Sequence, residues 1–378
     1  MASSDEKRFS PNMHTEGALR LEVHTPVIDD RPISVVGNFC DWVIDTQRYR
    51  LEQVSPGHYR FQFPEGQMPA FPIEYKFVKG GWEDEEVDEF GSKVPNRRID
   101  HPKQLVVNQV PRWKKNGIAY NPDLLPRIHV ISEKFEIPQL IKTRRITALL
   151  PHDYDATDKR YPVLYLQDGQ NLFDDHAPFG NWAVDKKLAV MAERGLSDII
   201  IVSIDHAEEE RAAEFTPSYP THLGVGDGKK YTRFLADTLK PYVDQHFRTR
   251  TDRVHTGIGG SSMGGLISIY AGMMYPEVYG RLMIFSPSLW VAPNIPHFGL
   301  PYEEPVAARI YIYAGEKEGG SMIPNINRYR EALQRKGMNM TNFDFRISID
   351  PEGVHNEEHW GREFPKAVEW LFFSPSSF

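Results

Sequence analysis

The sequence predicts an α/β protein in two parts, a doubly wound and mostly parallel sheet preceded by a small all-β, immunoglobulin-like sandwich. Three observations predict it. Residues 19–110 trade apolar and polar side chains with period two; from residue 127 onward, strand-like apolar runs alternate with helical stretches; and the turn Gly260-Ser261-Ser262-Met263-Gly264-Gly265 joins one such strand to one such helix. Size agrees, since 378 residues suggest about two domains, and a chain 40% hydrophobic and 25% charged can bury a sizeable core.

Residues 1–18 read as a polar tail. In 19–110 the alternation is clearest at 58–63 and 73–78, and Pro56-Gly57, Glu65-Gly66 and Gly80-Gly81 mark the turns between runs, as in an antiparallel sandwich. The acidic run Glu83-Asp84-Glu85-Glu86, with Asp88 and Glu89, reads as a solvated loop. Residues 111–126 are irregular, with Pro111, Gly117, Pro122 and Pro126, and predict a linker. Beyond it come a strand at 161–166, a helix at 182–194, a strand at 199–204, a helix at 231–247, the run 253–258, a helix at 266–275, and strands at 282–285, 309–313 and 345–349 with a helix at 325–336 before the last. Strands apolar on both faces, each followed by a helix, make a sheet covered on both sides.

Composition excludes several functions. A net charge of −8 argues against nucleic acid as a partner, because phosphate binding rests on clustered lysine and arginine. The single cysteine, Cys40, rules out an intramolecular disulfide and a cysteine-based zinc site. No run reaches the length of a membrane span, and the N-terminus has no apolar signal core, so the expected location is cytoplasmic, or secreted or periplasmic if a signal peptide has been removed.

The chemistry begins at Ser262. G-x-S-x-G between a strand and a helix is the pattern of a nucleophile elbow, a turn so tight that its flanks admit little more than hydrogen. A serine hydroxyl is a weak nucleophile at neutral pH and needs a base, and the base needs a partner to fix its tautomer. His355, in the loop after the last strand, is the expected base; His359 falls one turn into the closing helix. The segment after the strand at 309–313 offers Glu318 as the acid, with Glu316 as the alternative. For the oxyanion, the expected donors are the amides of Met263, next to the nucleophile, and of Gln170 in the loop after the strand at 163–166, with Gly169 the alternative. Arg211, Glu214 and Tyr219 are expected to line the pocket, and Trp182 and Trp290 to wall it, the arginine suiting an anionic substrate.

Four segments in this order, Tyr165 to Phe173, Gly260 to Gly265, Ala314 to Glu318 and His355 to Trp360, resemble the putative-esterase family of α/β-hydrolases, which includes enterochelin, feruloyl and acetylxylan esterases and mycolyltransferases. The resemblance covers about 127–374. It implies an α/β-hydrolase fold, a serine esterase with Ser262, His355 and an acid near Glu318 as its triad, a small-molecule or oligosaccharide ester as substrate, carbohydrate-linked or a siderophore, and no metal or organic cofactor. Acyl transfer on the same fold is the alternative outcome.

The front domain resembles glycogen- and starch-binding modules at Val36 to Trp42, Glu74 to Val78, Gly81-Trp82, and Phe90-Gly91 with Asn96. That resemblance implies a glycan gripped by Trp42, Lys76, Trp82 and Asn96. Two rival readings follow from the sequence. The chain could be a glycan-binding protein carrying an inactive hydrolase domain, or His355-Asn356-Glu357-Glu358-His359 could be an H-x-x-E-H zinc signature, with His355 and His359 as ligands.

Overall fold

The computed structural model describes residues 18–64, 66–177, 180–297, 308–335 and 343–375. Its chain divides into two compact units between Ala119 and Tyr120, inside the predicted linker. The predicted tail, apart from Ala18, and the last residue of the predicted helix at 325–336 lie outside the described residues.

In the first unit, Glu52–Ser55, His58–Gln62, Arg20–His24 and Leu105–Gln109 form a four-stranded sheet in that order, and Ile33–Gly37, Ile73–Lys79 and Arg97–Ile99 form a three-stranded one. Period-two patterning turns Leu21, Val23, Tyr59 and Phe61 of one sheet and Val35, Ile73, Tyr75 and Phe77 of the other into a single core. Two local readings change. Arg112–Trp113, expected in the linker, is a strand paired with Glu86–Val87, and the buried Trp113 donates its indole N–H to Thr25 Oγ1 at 2.9 Å. The acidic run is solvated only in part, since Glu83 and Glu89 are exposed while Glu85 and Glu86 are not. Glu85 is buried between Lys76 (3.1 Å) and Lys114 (2.8 Å), and Glu86 is buried against Arg97 (2.6 Å), each carboxylate brought inside with its cation.

The second unit is built on eight strands, numbered here in chain order: β1 Arg127–Ile137, β2 Lys142–Leu150, β3 Val163–Gln167, β4 Ile200–Ile204, β5 Thr256–Ser261, β6 Arg281–Phe285, β7 Ala308–Gly315 and β8 Phe343–Asp350. They lie in one sheet in the order β1-β2-β4-β3-β5-β6-β7-β8, antiparallel at β1 and β2 and parallel thereafter. The order reverses around β3, and at such a switch point the crevice beyond the carboxyl ends of the strands is the natural place for a ligand. Register aligns those ends: Ser261 faces Phe285, Phe285 faces Tyr313, and Gly315 faces Asp350.

Among the helices are α1 Val184–Ala192, α2 Gly228–Phe234, α3 Met263–Met274, α4 Met322–Arg335 and α5 Glu357–Val368. The sequence reads 231–247 as one helix; α2 instead passes through a π turn at Leu235–Leu239 into Lys240–His246. Pro241 stands at the start of that last segment and has no N–H to continue the ladder, which accounts for the slip. Every residue of α3 up to Met273 is buried, as befits a helix apolar on all sides lying against the middle of a sheet. Among the described residues no helix is long and apolar enough to cross a membrane.

Candidate active site

β5 ends at Ser261 and α3 starts at Met263, so Ser262 alone makes the turn. Its backbone sits at φ 56°, ψ −121°, a conformation that strains any residue with a side chain by about 1–3 kcal/mol. The surrounding chain holds it there: Ser262 N–H donates to Phe285 O (2.9 Å), and Ser262 O accepts from Leu266 N–H (3.1 Å) and Ser288 N–H (3.0 Å). The glycines are needed for room. A Cβ on Gly264 would lie 2.8 Å from Asp168 Oδ2, and one on Gly260 would lie 3.0 Å from the Gly264 carbonyl carbon. The Ser262 hydroxyl is hydrogen-bonded to that of Ser288 at 3.3 Å.

Glu318 closes a short 3-10 turn directly after β7. Its Oε1 accepts from Gly315 N–H (2.6 Å) and from the Ser286 hydroxyl (2.7 Å), while Oε2 accepts from His355 Nδ1–H at 2.8 Å. The Glu318 side chain is 0% exposed, against 40% for His355, so the carboxylate is sealed and the imidazole is open. Ser286 in turn accepts the Trp360 indole N–H at 2.9 Å, and that indole packs T-shaped with the His355 ring, centroids 4.8 Å apart. Backbone contact between Gly315 and Gly353 lets the two loops close, since a Cβ on Gly315 would lie 2.2 Å from Gly353 O, and Lys317 N–H reaches that same oxygen at 3.0 Å. Glu316 is exposed, away from this pairing.

Ser262 and His355 open onto one cleft of about 810 Å³, shared with Asp168, Gln170, Asn171, His206, Arg211 and Glu357. Met263 opens α3, so its amide is among the first-turn N–H groups that have no acceptor within the helix. Gln170 lies in the turn Gly169–Asn171 after β3, and its side chain clamps His206 by two bonds, donating to O at 3.0 Å and accepting from N–H at 2.9 Å. Gly169 is buried and packs instead on the end of β4, where a Cβ would come within 2.5 Å of both Ser203 Oγ and Asp205 Oδ1.

Among the expected pocket residues, Arg211 lines the cleft but is already bound by Asp168, Nε to Oδ1 at 2.5 Å and Nη2 to Oδ2 at 2.8 Å. Burial works against its charge, and the Asp168 carboxylate outweighs it, raising the guanidinium further above its ordinary value. Four expectations need correcting. Glu214 is fully buried in a bidentate pair with Arg144 (2.8 and 2.7 Å) backed by Lys142, because a carboxylate this deep needs cations rather than substrate. Trp182 lies inside the core, stacked on Phe285 with centroids 5.3 Å apart. Tyr219 packs on the core beside Tyr270. Trp290 is half exposed and stands apart from the residues lining this cleft.

Sequence reasoning missed Asp168, Asn171, His206 and Glu357 as cleft residues. All four follow the ends of β3, β4 or β8, and that position was the available signal. Burial pushes His206 down and Glu357 up from their ordinary values, and Asn171 Nδ2 donates to Glu357 Oε1 at 3.3 Å. Just beyond β4, burial pushes Asp205 up from 3.8 to about 6. The folded state therefore holds this proton more tightly than the unfolded chain, and the contribution present below about pH 4 is lost as pH rises through 6. Asp205→Asn is accordingly expected to raise Tm at pH 8 and to leave it near wild type at pH 4; equal shifts at both values would show that the carboxylate is not buried at a cost.

The H-x-x-E-H histidines do not share a site. His355 is committed to Glu318, while His359 Nδ1 meets Asp350 (3.3 Å) and Arg362 (2.6 Å). In the first unit, the Trp42 and Trp82 rings lie 6.3 Å apart, with Trp82 41% exposed, and Asn96 is exposed. Lys76 departs from the glycan-gripping expectation, since the ammonium is buried against Glu85.

The family described as putative esterase matches residues 138–371. The chain is 25% identical over 242 residues to the uncharacterized protein YbbA of Bacillus subtilis, spanning 61% of this chain and 92% of that one. It is 24% identical over 251 residues to the iron(III) salmochelin esterase of Escherichia coli O6:H1, spanning 62% of this chain and 55% of that protein. Among solved structures, the BES protein of Bacillus cereus is similar at a TM-score of 0.54 and 21% identity, covering 65% of this chain and 95% of that one.

Proposed function

This chain belongs to the putative esterase family, and from that premise we propose that it is a serine carboxylic-ester hydrolase working through an acyl-enzyme. The observation that carries the reading is the 2.8 Å bond from His355 to the sealed Glu318 carboxylate, with a strained Ser262 on the same cleft. Ser262 Oγ attacks the ester carbonyl as His355 Nε2 takes its proton, the hydroxyl leaving Ser288 for the imidazole as substrate enters. Glu318 keeps Nδ1 protonated, so that Nε2 carries the lone pair, and steadies the imidazolium that forms. The Met263 and Gln170 amides receive the oxyanion; donors of this kind are worth on the order of 100- to 1000-fold in rate apiece. The imidazolium protonates the departing alcohol, and water then repeats the sequence on the acyl-enzyme.

The proposed substrates are carbohydrate-linked or siderophore esters. A cleft lined by Asp168, Asn171, His206, Arg211 and Glu357 suits a substrate rich in hydroxyl or catechol groups more than a long aliphatic acyl chain. A fluorophosphonate probe tests the mechanism and an ester panel tests the class. The probe should label the peptide containing Ser262, and acetylated and feruloylated sugars or a catecholate trilactone should be hydrolysed faster than a long-chain p-nitrophenyl ester. An unlabelled Ser262 would reject the triad; a preference for the long-chain ester would reject the substrate class. Added alcohols or sugars would reveal acyl transfer as a second product.

A further inference from the structure

In the first unit, Arg20–His24 pairs antiparallel with His58–Gln62, and the register sets His24 directly opposite His58. Side chains two apart on a strand share a face, so Glu22 stands beside His24 on the side away from the core, where Leu21 and Val23 point inward. The result is a compact group. One ligand atom from each of Glu22, His24 and His58 lies within 4.8 Å of the other two, and all three residues are half-buried.

Two further observations separate this group from an ordinary cross-strand pair. His58 Nε2 is shut off from solvent and makes no hydrogen bond, although Glu22 Oε2 is only 3.4 Å away. Arg60, which the register places opposite Glu22, is turned to Glu52 at 3.6 Å, leaving the Glu22 carboxylate to face the imidazoles. An enclosed nitrogen without a hydrogen bond is unfavourable unless something else satisfies it, and a cation between the nitrogen and the carboxylate would satisfy both.

We infer that Glu22, His24 and His58 form a binding site for a single Zn²⁺ ion. The donor set decides the metal class. Two neutral imidazoles and one carboxylate suit zinc and its borderline neighbours, whereas calcium and magnesium call for oxygen ligands throughout. Zinc bonds of about 2.0–2.2 Å in a tetrahedron put ligand atoms roughly 3.4 Å apart, a spacing the His58–Glu22 pair already has. The His24 and His58 rings now stack at 4.3 Å and 15°. Binding turns one ring about its Cβ–Cγ bond, so that both nitrogen lone pairs point at the ion, with no change in strand register. Water takes the fourth position.

Competition between the untagged full-length chain and a chromogenic zinc chelator reads the site directly. The expected result is one Zn²⁺ bound per chain, with affinity lowered in His24→Gln/His58→Gln by more than the roughly 10- to 100-fold that loss of a mere supporting partner brings. Zn²⁺ added to the wild-type chain should also shift the imidazole NMR signals of His24 and His58 ahead of the other histidines, a readout that survives if the double variant fails to fold. Ester hydrolysis by the double variant should stay at wild-type level, because neither histidine belongs to the Ser262 machinery. A wild-type chain that binds no stoichiometric zinc, a double variant that binds it equally well, or NMR shifts confined to other histidines would overturn the site.

Discussion

Ser262→Ala is expected to lower kcat for p-nitrophenyl acetate by on the order of 10⁴- to 10⁶-fold, the scale on which loss of a serine nucleophile acts in other hydrolases. The fold should survive the change. Alanine keeps the Cβ that the turn already accommodates at φ 56°, and the backbone bonds to Phe285, Leu266 and Ser288 involve no side-chain atom. What disappears is the oxygen, and with it the weak 3.3 Å bond to Ser288. Residual turnover would then come from the Met263 and Gln170 amides acting on directly attacking water. Turnover close to wild type, with an unchanged circular dichroism spectrum, would remove Ser262 from the reaction.

The second large effect separates the two candidate acids. Glu318→Gln keeps the shape of the side chain and an oxygen for Gly315 N–H and Ser286, but replaces the carboxylate that fixes the His355 tautomer, and a loss in kcat approaching about 10⁴-fold is expected. Glu316→Gln, at an exposed position two residues earlier, should leave kcat within a few-fold of wild type. Steady-state kinetics of the pair decides the matter. Equal, small losses would mean that the imidazole is oriented by something other than this carboxylate.

Much of the second unit was legible because its signals are local. Runs apolar on both faces gave away the strands, and the spacing of Gly260, Ser262 and Gly264 announced a turn with no room for side chains, which the contacts with Asp168 and Gln167 make concrete. Expectations went astray where a long-range partner decides a residue's fate. Glu214 reads as a polar pocket residue until Arg144, from a distant strand, draws it inside. Glu85 and Glu86 look solvated until Lys76, Lys114 and Arg97 close around them. Trp182 could equally wall a pocket or fill a core, and only its stacking on Phe285 distinguishes the two. The cross-strand meeting of His24 and His58 has the same origin: register, not spacing along the chain, makes them neighbours.

The indole of Trp360 ties the Glu318–His355 pair to the helix that follows it in the chain. It belongs to a helix made long after the elbow, yet it braces the hydroxyl that steadies Glu318 and borders the ring of His355. A chain lacking that helix would keep Ser262, Glu318 and His355 but lose the indole that braces the last two.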